Sequence, residues 1–139
     1  MPRKTIPSGE CPEDKIQNWI EVLRKASVER TVLVQHKRDA DVLKSLHVQH
    51  VYYEQEPDFK VIEAIVDLGK ECLLLYDATR AGNTACARMR SKLEHRGVKV
   101  STRMRKILFT SSCKELGGFL KYIHEQIMPT ERKHAGTRI

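Results

Sequence analysis

Short apolar runs alternate along the chain with longer stretches in which apolar residues recur every three or four positions. Short runs of this kind are typical of buried strands, and the longer spacing is typical of amphipathic helices. The predicted strands are Thr31 to Gln35, Val48 to Tyr53, Cys72 to Tyr76 and a fourth that starts at Val98. Because strands separated by helices run parallel, the pattern predicts an α/β fold with a four-stranded parallel sheet flanked by helices on both faces.

Five helices are predicted between and beside these strands. The first begins near Glu13, and its apolar residues Ile16, Trp19, Ile20 and Leu23 share one face. The next three are predicted at Asp39 to Leu46, Asp58 to Leu68 and Arg80 to His95, and the last carries Leu116, Phe119, Leu120, Ile123 and Ile127. The residues from Arg103 to Lys106 are predicted to form a loop.

The length of 139 residues suits one α/β domain with a core of its own. We expect this domain at residues 12–128, with flexible basic extensions at 1–11 and 129–139, which lack apolar periodicity. The four cysteines are far apart and form no Cys-x-x-Cys pair, so we expect buried thiols. No apolar run approaches the ~20 residues that cross a bilayer, and no signal core is present, which predicts a cytoplasmic protein without membrane contact.

Polar residues stand where two of the predicted strands end. Gln35 ends the first strand, and Asp77 and Thr79 follow the third. In a parallel sheet, ligands bind beyond the carboxyl ends of the strands, at the point where strand order reverses, so these residues are expected to share one crevice. A purely structural interpretation is also open, because Asp77 or Thr79 can cap a helix and Gly82 can allow close packing of helix and strand.

The segments that carry these residues resemble TOPRIM domains, the module of topoisomerases, primases and some nucleases. Leu73 to Gly82 is similar to the strand and Asp-x-Asp turn that hold magnesium in that family, and Thr31 to Leu43 is similar to its first strand and Val-Glu-Gly-Lys-x-Asp turn. With Leu93 to Val100, the resemblance covers residues 30 to 125. It implies a Rossmann-like TOPRIM fold, and is greatest to small single-domain archaeal TOPRIM proteins and to the TOPRIM domain of 5S rRNA maturases.

Two acidic positions of the TOPRIM metal site carry neutral side chains in this chain. Gln35 stands where the resemblance implies a glutamate, and Thr79 where it implies the second aspartate. Magnesium requires clustered oxygen ligands that offset its charge, and an amide cannot serve as a general acid or base near neutral pH. We therefore predict a degenerate site with no catalytic residue and no cofactor. The alternative is a magnesium-dependent nuclease or rRNA maturase in which Asp39, Asp41 or Asp77 rebuilds the metal site with substrate phosphates.

Positive charge is concentrated in one short segment. Residues 80–106 contain nine basic residues and one acidic residue, so their net charge exceeds the +7 of the whole chain. Arg88, Lys92 and Arg96 recur every four residues, which places them in a row on one helix face. A phosphate backbone is the commonest partner of such a surface. The segment contains no aromatic residue, which favours recognition of backbone and shape over base stacking. A solvated helix face, or a face for an acidic protein, is the alternative.

The sequence thus predicts a non-catalytic RNA-binding protein, bound to structured rRNA in a ribosomal particle, with neighbouring ribosomal proteins as further partners. The preference for rRNA follows from the resemblance to 5S rRNA maturases. The predicted RNA-binding residues are Lys37, Arg38, Arg80, Arg88, Arg90, Lys92, Arg96, Lys99, Arg103, Arg105, Lys106, Arg132 and Lys133.

Overall fold

The computed structural model describes residues 13–111 and 113–126, and the side chains of residues 16–111 and 113–125. Its helices are α1 (Glu13–Val28), α2 (Lys37–Ser45), α3 (Phe59–Leu68), α4 (Arg80–His95), α5 (Lys106–Thr110) and α6 (Leu116–Gln126). Its strands are β1 (Arg30–Val34), β2 (Val51–Tyr53), β3 (Glu71–Leu74) and β4 (Val100–Ser101). The predicted extensions at 1–11 and 129–139 lie outside the described residues.

The four strands form one parallel sheet in the order β2-β1-β3-β4. The chain adds β2 on one side of β1 and β3 on the other, so strand order reverses at β1. The prediction of a four-stranded parallel α/β sheet is confirmed. The switch point lies between the carboxyl ends of β1 and β3, which is where such sheets bind ligands.

Helices cover both faces of the sheet, as predicted. Alternate residues of a strand point to opposite faces; accordingly, Val32 and Val34 belong to the core beneath α1, α2, α5 and α6, whereas Leu33 belongs to the core beneath α3 and α4. The predicted apolar face of α1 is buried. Its Trp19 packs edge-on against Phe119 of α6, with ring centroids 5.2 Å apart. The described chain therefore has a core on each side of the sheet.

Two strands begin later than the sequence predicts. Strand β2 starts at Val51 instead of Val48, because His47 and His50 have positive φ angles of 71° and 54° and so form a turn in place of extended chain. Strand β4 is confined to Val100–Ser101 instead of starting at Val98. Val48 and Val98 are nevertheless buried. The apolar pattern therefore indicated correctly that these residues are buried, but it placed the starts of the two strands wrongly.

The predicted loop after β4 is helical. Residues Arg103–Arg105 form a 3-10 turn that continues into α5. Met104, Ile107 and Leu108 are buried, and their spacing of three and four residues is the helical pattern. The signal was present in the sequence, but the basic residues around it led to the wrong prediction.

Two of the predicted buried thiols are confirmed. Cys72 and Cys86 are buried and unoxidised. Burial raises the pKa of the Cys72 thiol to about 11, so this group stays protonated and is a poor nucleophile near neutral pH. Within the residues described, no helix is both long and apolar enough to span a membrane.

Candidate functional site

The strand ends at the switch point meet, as predicted. The backbone N–H of Asp77 donates a hydrogen bond to Oε1 of Gln35 over 3.0 Å. The two residues come together because β1 and β3 pair in parallel register, with Leu33 opposite Leu74. The Gln35 amide therefore ties the two strand ends to each other.

The Asp77 carboxylate caps a helix that is distant in sequence. Its Oδ1 accepts a hydrogen bond from the backbone N–H of Leu116, the first residue of α6, over 2.8 Å. A carboxylate at this position satisfies a free helix N–H and interacts favourably with the helix dipole. The structural interpretation of Asp77 as a cap is confirmed, although the helix is α6 and not α4, which follows it.

Thr79 caps α4. Its Oγ1 accepts a hydrogen bond from the backbone N–H of Gly82 over 3.0 Å. Gly82 packs so closely that an added Cβ would collide with the backbone oxygen of Asp77. Thr79 therefore fixes the start of α4, and Gly82 lets the helix pack against the turn after β3. Both features agree with the structural interpretation of the sequence.

We refer to Gln35, Asp77 and Thr79 as the switch-point cluster. Its oxygen atoms do not fit magnesium, the ion that the TOPRIM resemblance implies. Each side chain has an oxygen that already accepts a backbone N–H, and only Asp77 carries a charge. Magnesium binds octahedrally to oxygen ligands and usually through carboxylates. In the described part of the chain, no group of three or more His, Cys, Asp or Glu side chains could hold a metal ion. The hydrogen bonds of the cluster give it a structural role at the ends of β1 and β3 and at the starts of α4 and α6.

Arg105 is in the interior and not on the basic surface. Its side chain is only 7% exposed. It donates to the backbone oxygens of Tyr76 and Asp77 and to Oδ1 of Asn83, and its guanidinium carbon lies 5.0 Å from the centre of the Phe109 ring. The prediction that Arg105 belongs to an RNA-binding surface is therefore wrong. Its donors hold the chain after β3 against α4.

The α4 row, which we define as Arg88, Lys92 and Arg96, is exposed on one helix face. Its members form ion pairs: Arg88 with Glu54 at 2.8 Å, Lys92 with Asp58 at 2.5 Å and Arg96 with Glu63 at 2.9 Å. Glu54 directly follows β2, Asp58 directly precedes α3, and Glu63 lies within α3. The sequence shows their charge but not their position. Because the pairs lower the net charge of this face, the α4 row has less uncompensated positive charge than the sequence predicts.

Positive charge without acidic partners is gathered at the β4 edge of the sheet. Lys99, Arg103 and Lys106 are exposed, and none of them forms an ion pair with any residue that the structure describes. They line a shallow cleft of about 470 Å³ beside β4, which we call the β4-edge cleft. Arg90 and Glu71 also line it, but each has an ion-pair partner elsewhere, namely Glu94 and Arg30. Within the described residues, the cleft therefore presents three cations without an acidic partner.

The remaining predicted RNA-binding residues are dispersed. Lys37 forms an exposed ion pair with Asp41 at 3.1 Å. Arg38 and Arg80 are exposed, and neither has an ion pair within residues 16–111 and 113–125. Arg132 and Lys133 lie outside the described residues. The structure therefore joins Lys99, Arg103 and Lys106 into one surface but does not bring all predicted residues together.

A second cavity, of about 520 Å³, lies between α2 and α6 beside Asp77, and we call it the α2–α6 pocket. Asp39 lines it and is only 2% exposed. Burial raises the pKa of Asp39 above its ordinary value, and the nearby carboxylate of Asp77 contributes to the same shift. The sequence indicated Asp39 only as an alternative metal ligand. The pocket was missed because no sequence pattern shows that α2 and α6 are neighbours.

Comparison with known proteins supports the fold. The chain is 26% identical over 120 residues to "UPF0292 protein MJ1624" of Methanocaldococcus jannaschii, with 82% of this chain and 94% of that protein covered. A solved structure of a protein from Aquifex aeolicus matches with a TM-score of 0.67 at 24% identity, covering 76% of this chain and 97% of that chain. No family model matches the chain. The structural likeness shows the α/β fold, and the TOPRIM resemblance stays a prediction.

Proposed function

We propose that this protein is a degenerate, non-catalytic TOPRIM protein that binds structured RNA, namely rRNA in a ribosomal particle, through the β4-edge cleft. The observation that carries the proposal is the group of three exposed cations, Lys99, Arg103 and Lys106, without acidic partners among the described residues. Phosphate contacts provide most of the affinity in such complexes, and each contact requires a cation that is free to approach the phosphate.

The position of these cations suits a nucleic acid backbone. Lys99 immediately precedes β4, Arg103 begins the 3-10 turn and Lys106 begins α5, so an edge strand and two helical turns present them together. The part-buried Ser101 and Thr102 lie between them in the cleft and add hydroxyl groups that can bind phosphate oxygens. None of the described residues that line the cleft is aromatic, so the cleft favours backbone contacts over base stacking.

The absence of catalysis in this proposal is supported by the switch-point cluster. Nuclease chemistry with magnesium needs anionic ligands and a group that can transfer a proton. Gln35 and Thr79 provide neither, and one oxygen of Asp77 is bound to the start of α6. The three side chains stabilise strand and helix ends, which is sufficient to account for their positions.

The choice of rRNA as the partner is supported by the sequence alone. It rests on the resemblance to the TOPRIM domain of 5S rRNA maturases, in which loss of catalysis would leave an RNA-binding protein. Arg132 and Lys133 of the C-terminal extension add cations that can contact phosphates.

Two triple variants with equal loss of charge test the RNA surface. The cleft variant Lys99→Gln/Arg103→Gln/Lys106→Gln is expected to weaken binding of a hairpin RNA at least ~10-fold at moderate salt, and to reduce the slope of log affinity against log salt by about 2. The row variant Arg88→Gln/Lys92→Gln/Arg96→Gln is expected to have a smaller effect, because its cations are already paired. Fluorescence anisotropy over a salt series measures both. Wild-type affinity in the cleft variant would refute the proposed surface.

A further inference from the structure

Two polar groups that line the α2–α6 pocket accept no hydrogen bond within the described chain, and one of them, Nδ1 of His124, is buried. Asp39 is 2% exposed as a residue, and its carboxylate accepts no hydrogen bond from residues 16–111 or 113–125. Nδ1 of His124, which also lines the pocket, is buried and has no hydrogen-bond partner among the described residues. A buried acceptor without a partner costs free energy, so Nδ1 of His124 indicates a ligand that supplies a donor, and the Asp39 carboxylate lines the same cavity.

We propose that the α2–α6 pocket binds an aliphatic diamine or polyamine, with one ammonium group held by the carboxylate of Asp39. The cavity of about 520 Å³ is within the range of small-molecule sites. This site is separate from the β4-edge cleft, and its ligand does not depend on RNA binding.

The charge of the lining supports an organic cation. Among the described residues, the titratable side chains that line the pocket are four carboxylates, two basic side chains and two histidines: Asp39, Asp77, Glu115, Glu125, Arg38, Lys121, His36 and His124. Asp77 and Glu115 lie near enough to Asp39 for their charges to raise the pKa of its carboxyl group, while the charges of His36 and Arg38 lower it. An ammonium group bound at Asp39 would relieve this mutual repulsion, whereas an anion would add to it.

The acidic groups do not form a metal site. No set of three His, Cys, Asp or Glu side chains among the residues described is arranged to hold a metal ion. An ammonium group has three N–H donors and can satisfy a carboxylate without such a ligand set. The ring Nδ1 of His124, in the tautomer that leaves it unprotonated, can accept another of those donors.

The pocket also suits the body of an aliphatic amine. Val42 and Leu120 contribute apolar surface to the lining, against which methylene groups can pack. Gly117 leaves the Asp39 carboxylate accessible, since a Cβ there would lie 3.2 Å from its Oδ1. The exposed carboxylates of Glu115 and Glu125 are available to a second ammonium group. These features favour a linear ligand with two charged ends.

Calorimetric titration of the full-length protein with putrescine, spermidine and butylamine tests the proposal without RNA. The two polyvalent amines are expected to bind at least ~10-fold more tightly than butylamine, which has one ammonium group and forms one charge-assisted set of hydrogen bonds. Asp39→Asn is expected to weaken putrescine binding at least ~10-fold. The control Asp41→Asn, which removes an exposed charge from the same helix outside the pocket, should retain wild-type affinity.

The comparison of amines in the wild-type protein does not depend on the folding of any variant. Equal affinity for butylamine and putrescine, or no saturable binding of any amine, would overturn the proposal. So would undiminished putrescine affinity in Asp39→Asn. Because the titration contains no RNA, a negative result does not bear on RNA binding at the β4-edge cleft. Likewise, the RNA measurements on the cleft variant do not bear on the amine site.

Discussion

Asp77 provides the charge of the switch-point cluster, and its Oδ1 is bound to the N–H of Leu116. We expect Asp77→Ala to lower the free energy of unfolding by about 1–2 kcal/mol, because α6 loses its capping group. RNA affinity of the folded variant should be unchanged. Urea denaturation and RNA titration measure the two effects, with the exposed residue Asp41→Ala as the control. A loss of RNA affinity equal to that of the cleft variant would indicate a functional site at Asp77, and so would magnesium-dependent RNA cleavage that Asp77→Ala abolishes.

Asp39 should make stability depend on pH. Its pKa is raised in the folded protein, chiefly by burial, above an unfolded value of about 3.9. At a pH below that value, the carboxyl group is protonated in both the folded and the unfolded state and does not lower the free energy of unfolding. As the pH rises through the folded pKa, the native state must carry a buried charge and loses stability. Asp39→Asn is therefore expected to raise the melting temperature at pH 7 and to have little effect near pH 3. A variant less stable than wild type at pH 7 would contradict this account.

Residue roles were predictable from the sequence where they follow from topology. Gln35 and Asp77 had to meet, because parallel strands on either side of a switch point end at the same edge. The interior position of Arg105 was not predictable in this way. A basic residue between two others looks exposed, and only the packing of Met104 and Ile107 shows which side of that turn faces inward.

At the scale of the element, the approach of α4 to the turn after β3 depends on Gly82. Gly82→Ala is expected to destabilise the protein by several kcal/mol, at least ~3, because the added Cβ collides with backbone that cannot move freely. Gly118→Ala is the matched control: it is also a helical glycine, but an added Cβ meets nothing within 4 Å. That change should be neutral or stabilising by up to about 1 kcal/mol. Thermal denaturation of the two variants decides the point, and equal stabilities would contradict the close packing.

The pairing of elements explains why the basic surface differs from its prediction. The sequence correctly places Arg88, Lys92 and Arg96 in a row, since helical spacing is local information. It does not show that α3 packs beside α4 and brings Asp58 and Glu63 to that row. Charge compensation depends on which elements are neighbours, and this is determined by long-range packing. The buried faces of α1 and α6, in contrast, were predictable from their amphipathic patterns. The apolar residues of such a face recur at helical spacing within one helix, so no knowledge of neighbouring elements is needed.

At the scale of the whole molecule, the cluster, the pocket and the cleft lie at different parts of one sheet. The switch-point cluster joins the ends of β1 and β3, the α2–α6 pocket lies beside it, and the β4-edge cleft follows the last strand. A fold of this type can retain its architecture while the chemistry at the switch point is lost, because the same side chains cap helices and join strands. The surface that we propose for RNA binding is not part of that site.

Gradient sedimentation of a cell lysate tests the central claim most directly, because it reports whether the protein is bound to ribosomal particles. We expect the protein to sediment with these particles at low salt and to move to the top of the gradient after ribonuclease treatment or at high salt. The cleft variant should be found mainly at the top without either treatment, while the row variant should remain largely with the particles. Wild-type protein that stays at the top of an untreated low-salt gradient would contradict the account.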